Sequence, residues 1–353
     1  MATALNMACP LPLTYTDRVL LGHGSGGKLS AALLSDVFLR VFDSPVLASM
    51  EDQAVLEIGG ARLAFTTDSF VVKPLFFRGG DIGSLAVHGT VNDLAMGGAE
   101  PLFLSAGFIL EEGLEMETLR RVADSMARAA RAAGVEIVTG DTKVVEKGSG
   151  DGLFINTTGI GLVRDGVKLS AGNARPGDRV IVSGTLGDHG ITILSERDGI
   201  GFDSEIASDS APLHTLVRAM LDAASDVCGD IRCLRDPTRG GLASSLNEIA
   251  ERSGVGMELT EAEIPIREEV RGACEMLGLD PLYVANEGKL VAIVAPEAAD
   301  AILAAMLRHP LGREARLIGT VTGEHRGLVT ARTAFGTTRI VDMLAGDQLP
   351  RIC

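Results

Sequence analysis

The sequence predicts an α+β protein of two mixed domains followed by a flexible C-terminal tail. Three observations carry this. The chain has 353 residues, more than one hydrophobic core usually organises. Strand-like and helix-like segments alternate in both halves. A turn-rich stretch, GNARPGDRV (Gly172–Val180), lies between the halves.

Residues 1–42 form a lead-in, a glycine-rich loop and a helix. The helix should carry Leu33, Leu34, Val37, Phe38 and Val41 on one face. Residues 1–20 read as poorly ordered. Residues 43–170 form the first domain. QAVLEIG, ARLAFTTDSFVV and PLFLSAGFIL read as strands, with Asp68 ending the second, and LFINTTGIGLV as a further strand. GSLAVHGTVNDLAMGG and METLRRVADSMARAARAAG read as helices, and EIVTGDTKVV as a strand and loop. Residues 171–342 repeat the logic. APLHTLVRAMLDAAS and the stretch after DPTRGG are helical, and VIVSGT, GKLVAIVA, ARLIGTVTG and GLVTART are strands. Residues 343–353 have weak periodicity and a proline near the end, so they read as the tail.

Composition narrows the function. Hydrophobic residues make up 46%, with 43 glycines, which points to tight turns and close backbone approaches rather than disorder. A net charge of -15 speaks against nucleic acid but is compatible with a nucleotide that arrives with Mg²⁺. The five cysteines, Cys9, Cys228, Cys233, Cys274 and Cys353, are odd in number and irregularly spaced. They suggest neither a disulfide framework nor a zinc site, and a reducing, cytoplasmic setting fits. No signal peptide or membrane span is expected.

The loop Gly22-His23-Gly24-Ser25-Gly26-Gly27-Lys28 could offer backbone N–H groups to phosphate oxygens, or be a mobile surface loop. It is no P-loop, because Leu29 follows Lys28. Asp52, Asp68, Asp93 (after Asn92) and Asp236 lie at strand ends or within apolar segments, where a carboxylate is costly unless paired or bound to a cation. Each alone reads as a cap or turn residue; together they suggest one Mg²⁺ cluster holding a nucleotide's phosphates. Gly140-Asp141-Thr142-Lys143 is a candidate phosphate corner, with Lys143 able to neutralise a transferring phosphoryl group or simply to sit on the surface. Glu287, between Asn286 and Gly288, is either a positioned base or a turn residue. His88 is a candidate for positioning substrate, although a lone histidine on an apolar face is more often part of a core. Cys353 is the last residue printed, and Pro350 keeps its approach extended.

Taken together, HGSGGK, MEDQAVL, FTTDSFVV, AVHGTVNDLAMGGAEPLFLSAGFILEEG, IVTGDTKVV, RDPTRGGLA, ANEGKL and the terminal PRIC resemble the HypE family of hydrogenase maturation factors. That family is a branch of the AIR-synthase/selenophosphate-synthetase (PurM-like) superfamily. The resemblance covers nearly the whole chain, and the PRIC ending selects the branch. It implies two PurM-like domains. The N-terminal mixed sheets of two copies would pair into a barrel-like dimer core, and the C-terminal domain would be an α/β sandwich. It also implies an activity: ATP-dependent dehydration of an S-carbamoyl group on Cys353 to a thiocyanate. The carbamoyl group would come from a partner, HypF, and the cyanide would pass to a HypC–HypD complex for a [NiFe] centre. Asp52, Asp68, Asp93 and Asp236 then match metal positions. Gly24, Gly26, Gly27, Lys28, Asp68, Asn92, Gly140, Asp141 and Thr142 match nucleotide positions. Cys353, Lys143, Glu287 and His88 would serve the chemistry.

Two alternatives differ in class. One is another PurM-like ATP enzyme, such as a selenophosphate synthetase, which would place a reactive Cys in or just before the glycine loop; this loop has none. The other is a docking module without catalysis. The tail should also be mobile unless nucleotide is bound: ten residues from Met343 reach roughly 33–36 Å when extended.

Overall fold

A computed structural model describes residues 18–197, 205–346, 349 and 351–353. The lead-in before Arg18, with Cys9, and the stiffening role of Pro350 lie outside these residues. Arg18–Leu21 are exposed. The helix after the glycine loop runs as α1 (Lys28–Leu33), a π-helical stretch (Leu34–Phe38) and α2 (Leu39–Phe42). Its predicted apolar face is not buried within the chain. Leu34, Val37, Phe38 and Val41 stay open to solvent, with Phe38 stacked on Phe42.

The first domain contains β1 (Ala54–Ile58), β2 (Ala61–Phe70), β3 (Phe76–Phe77), β4 (Gly80–Asp81), α3 (Ile82–Met96), β5 (Ala99–Glu111), α4 (Met116–Ala133), β6 (Glu136–Val145) and β7 (Leu153–Val163). Its main sheet has the order β1-β2-β7-β5-β6, antiparallel except for β5 with β6. The strands alternate because one face is covered by helices and the other is open. On β2, Ala64, Thr66 and Phe70 point to the helices, while Phe65, Thr67 and Ser69 are exposed. The row Phe65–Ile160–Phe103 crosses three strands on the open face. Two predicted details change. β2 runs past Asp68 to Phe70, because Ser69 and Phe70 keep pairing with Asn156 and Ile155. EIVTGDTKVV is one unbroken edge strand, β6, held by β5 throughout.

α3 is buried on nearly every side, which its almost uniformly apolar sequence requires. Asp81 caps it, accepting N–H bonds from Gly83 and Ser84. α4 is amphipathic and ends at Gly134, whose φ of 69° suits glycine.

The second domain contains β8 (Arg179–Val182), α5 (Asp188–Ser195), α6 (His214–Asp226), β9 (Ile231–Arg235), α7 (Gly241–Ser253), β10 (Gly256–Thr260), α8 (Glu268–Leu277), β11 (Val291–Val294), α9 (Ala299–Arg308), β12 (Arg316–Thr322), β13 (Val329–Arg332) and β14 (Thr338–Val341). Its sheet has the order β14-β13-β10-β12-β8-β11-β9. Here β8 and β11 read as continuous apolar runs, since both faces are covered. Val180, Val182 and Ile293 pack with α7, whereas Ile181, Ala292 and Val294 pack with α6 and α9. The second domain meets α3 of the first: Ala95 and Met96 share a core with Leu216, Val217 and Met220 of α6.

Candidate active site

β2 and α3 approach closely because Gly89 carries no side chain; a Cβ there would stand 2.9 Å from the Phe70 ring. This brings Asp68, on the helix-facing side of β2, near Asp93, one turn beyond Gly89. Asp236 follows β9, and Asp52 precedes β1. Together with Glu287, Arg239 and Cys353 they line a cavity of about 310 Å³. The buried carboxyl groups raise one another's affinity for protons. Asp93 and Asp236 are pushed well above the usual carboxylate range, by burial first and then by neighbouring aspartates. Asp52 and Asp68 are raised mainly by burial.

Glu287 is fixed through its backbone. Its N–H donates to Asp209 Oδ1 (3.0 Å), and its carbonyl accepts from Asn92 Nδ2 (3.1 Å). Its Oε1 is buried without a hydrogen-bond partner. Burial, followed by Asp68 and Asp236, holds this carboxyl well above its ordinary range.

Buried carboxylate oxygens suit a hard divalent cation, and the orphaned Glu287 oxygen fits that need. As placed, however, the four aspartates do not close into a ligand set. Among the described residues no three of His, Cys, Asp or Glu are grouped to hold a metal ion. Arg235 makes an ion pair with Asp52, and Thr66 Oγ1 lies 2.8 Å from Asp93 Oδ2.

Cys353 lies at this cleft. It and Arg239 also line a second cavity of about 290 Å³, shared with Gly24, Ser25, Ser69 and Val71. The thiol stands where the two cavities meet. Burial pushes it up to about 12, while Arg239 pulls the other way. The end of the segment expected to be a flexible tail is seated here inside the cleft. Weak periodicity reflected missing helix and strand, not missing partners: Val71 N–H donates to the Cys353 carbonyl (2.9 Å), and Ile352 is 3% exposed in the core of the first domain.

The other predicted residues stand elsewhere. Gly140, Asp141, Thr142 and Lys143 are exposed on β6. The register puts Asp68, Thr157, Ala106 and Gly140 in one row, so β6 is three strand spacings, about 14 Å, from β2. Lys143 pairs with Asp141 (2.8 Å). Within the glycine loop, the Lys28 N–H donates to Leu344 O (2.8 Å) and the Gly26 N–H to Ser30 Oγ (2.9 Å). Lys28 Nζ meets Asp342, and Gly27 lies directly against Leu344. In this conformation the loop grips the root of the tail; Gly24 alone has open space around it. His88 does not line the acidic cleft. Its Nδ1 lies 2.9 Å from Ser210 Oγ, and burial lowers it to about 4. Asn92 spends its amide on the second domain's backbone: Ala211 O, Glu287 O and Leu213 N–H.

Sequence reasoning quoted DPTRGG without assigning Arg239, and it missed Thr66, Arg235 and Asp209. An arginine three residues after Asp236 in a glycine-flanked turn was the available signal for the first, but its proximity to Cys353 is purely tertiary.

Fold and site define a two-domain protein of the AIR synthase related class. The family model for the AIR synthase related protein N-terminal domain matches residues 50–163, and that for the C-terminal domain matches residues 175–332. Similarity to curated proteins is closer still. The carbamoyl dehydratase HypE of Azotobacter vinelandii is 59% identical over 331 residues, 94% of this chain and 96% of the relative. That of Escherichia coli (strain K12) is 49% identical over 342 residues, 96% and 100% respectively. The chain belongs to the HypE family. A solved HypE–HypF complex matches with a TM-score of 0.84 at 50% identity, covering 89% of this chain and all of that one. A HypE structure in complex with ATP matches with a TM-score of 0.79 at 53% identity, covering 95% and 100%.

Proposed function

We propose that this chain uses ATP to dehydrate an S-carbamoyl group on its own Cys353, producing the thiocyanate from which a [NiFe]-hydrogenase cyanide ligand is made. The observation that carries the reading is the seat of Cys353, where an acidic cavity and a glycine-loop cavity meet beside Glu287 and Arg239. An amide oxygen is a poor leaving group. Transfer of the γ-phosphoryl group of ATP to that oxygen makes phosphate the leaving group. Breaking the C–O bond and removing both N–H protons then leaves S–C≡N, ADP and phosphate. Burial makes the carboxylate of Glu287 a stronger base than an exposed glutamate, which suits it to accept an N–H proton. Arg239 supplies fixed positive charge beside the sulfur. Asp68, Asp93 and Asp236, which do not close into a ligand set by themselves, would hold Mg²⁺ together with the nucleotide's phosphates, whose charge it would neutralise.

The same geometry supports a division of labour. A thiol raised to about 12 is a poor nucleophile, since the thiolate is the attacking species. With its carbonyl bonded to Val71 inside the cleft, Cys353 is out of reach of a second protein's active site, so carbamoyl acceptance would take place with the tail out of its seat, on a HypF-like partner, and the loaded tail would return. HypC–HypD would take the cyanide, in the cytoplasm. A second copy would cover the open sheet face at Phe65, Phe103 and Ile160, and Asp141 and Lys143 lie on that same face. No helix among the described residues is long and apolar enough to cross a membrane.

The test is the mass of the C-terminal peptide after incubation with the carbamoyl donor enzyme, carbamoyl phosphate and then ATP. Addition of a carbamoyl group followed by loss of one water is expected. A carbamoyl group that persists through ATP turnover refutes the reading.

A further inference from the structure

The last three residues are held at every backbone carbonyl. Val71 N–H donates to Cys353 O (2.9 Å), and Lys73 N–H to Arg351 O (3.4 Å). Arg351 O also accepts from Arg197 Nη2 (2.8 Å). Arg351 Nε returns a bond to Val71 O (3.1 Å), and its guanidinium meets Asp151. Among the described residues, the side chain that meets the Ile352 carbonyl between them is His189, with Nε2 at 2.8 Å.

His189 lies on α5 of the second domain and is fully buried. Its Nδ1 stands 2.8 Å from Ser208 Oγ, and its ring meets Phe77 edge-on at 5.7 Å. A carbonyl oxygen only accepts, so Nε2 carries the proton and Nδ1 accepts from the Ser208 hydroxyl. Ser208 Oγ in turn accepts from Ser210 N–H (3.1 Å). This chain of bonds fixes both tautomer and ring plane. One face of the seat is thus built by the first domain's Val71–Lys73 backbone and the other by a preset imidazole from the second.

We infer that His189 is a positioning residue for the tail: its Nε2–H sets the register of Ile352 and so places the Cys353 sulfur between Glu287 and Arg239. It acts through the tail backbone and touches no reacting atom. The catalytic consequence rests on the function proposed above; the seat itself does not.

The test uses the full chain without ATP or partner. A brief pulse of iodoacetamide is followed by digestion and mass spectrometry of each cysteine peptide. Two near-isosteric variants divide the ring's bonds. His189→Gln keeps an N–H donor near the Nε2 position, whereas His189→Asn keeps only a group near Nδ1, for Ser208. Cys353 should be labelled about tenfold faster in His189→Asn than in wild type, the worth of one buried hydrogen bond. In His189→Gln it should stay near the wild-type rate. Buried Cys274 should remain protected in both, which separates release of the tail from unfolding. Equal Cys353 labelling in the two variants overturns the inference. Given unequal labelling, His189→Asn should accept a carbamoyl group at least as fast as wild type but dehydrate it more slowly. Unequal labelling with equal dehydration keeps the seat but overturns the positioning role, whereas no dehydration even in wild type places the fault in the reaction assigned to Cys353.

Discussion

Replacing Asn92 by alanine discriminates sharply between the two roles this residue could have. Its position beside Asp93 suggests a nucleotide contact, but its amide instead ties three backbone groups of the second domain, Ala211 O at 3.0 Å, Glu287 O at 3.1 Å and Leu213 N–H at 2.8 Å. The side chain is 1% exposed, so water does not readily replace it. Three buried backbone groups then lose a partner at about 1–2 kcal/mol each, about 3–6 kcal/mol in all. Unfolding entropy of about 2.1 cal/mol/K per residue gives about 0.74 kcal/mol/K for 353 residues. The melting temperature should therefore fall by about 4–8 °C in nucleotide-free protein, read by calorimetry. Because Glu287 loses its carbonyl anchor, dehydration should slow as well. A melting temperature within about 1 °C of wild type, together with a large loss of ATP affinity, would refute the bracket and restore Asn92 as a nucleotide ligand.

Further outcomes follow from the same site. Cys353→Ala should fold and bind ATP yet accept no carbamoyl group, as seen in the mass of the C-terminal peptide. Glu287→Gln should accept the carbamoyl group at the normal rate but fail to dehydrate it; normal dehydration would remove Glu287 as the proton acceptor. Asp93, Asp236 and Glu287 have folded proton affinities raised above their unfolded values, so the native state binds more protons and stability is lost as pH rises through that window. Without divalent cation the melting temperature should fall as pH rises above the ordinary carboxylate range, and Asp93→Asn should flatten that slope; an unchanged slope would show that Asp93 does not contribute. Ile160→Lys, at the centre of the open sheet face, should convert a dimer to a monomer in light scattering; a monomeric wild type would sink the second-copy proposal.

The strands and helices around the site were legible because their periods are strong. β2 and β7 alternate with one face uncovered, α4 is amphipathic, and β8 and β11 are apolar throughout because they are covered on both sides. Asp68, Asp93, Asp236 and Glu287 stood out because carboxyl groups in apolar or turn contexts need a reason to be there, and all four line one cleft. Cys353 stood out through the resemblance carried by the terminal PRIC. The glycine loop was legible as a loop whose backbone other groups approach, but not in its present partner, the root of the tail.

Local pattern cannot reveal pairings that depend on two distant segments arriving together. Asn92 and Asp93 are neighbours in sequence on one helix, yet one side chain brackets the second domain and the other enters the cleft, because successive helical residues point about 100° apart. The GDTK motif is intact, but strand order carries it to the sheet edge. The sequence by itself determined two α+β domains and an acidic cluster, since composition and periodicity encode burial and charge, while the resemblance of the terminal PRIC singled out Cys353. Only the tertiary structure decided that Cys353 sits inside the cleft and that His189 meets the Ile352 carbonyl, because those contacts join distant residues, 163 positions apart for His189 and Ile352, and no local pattern records them.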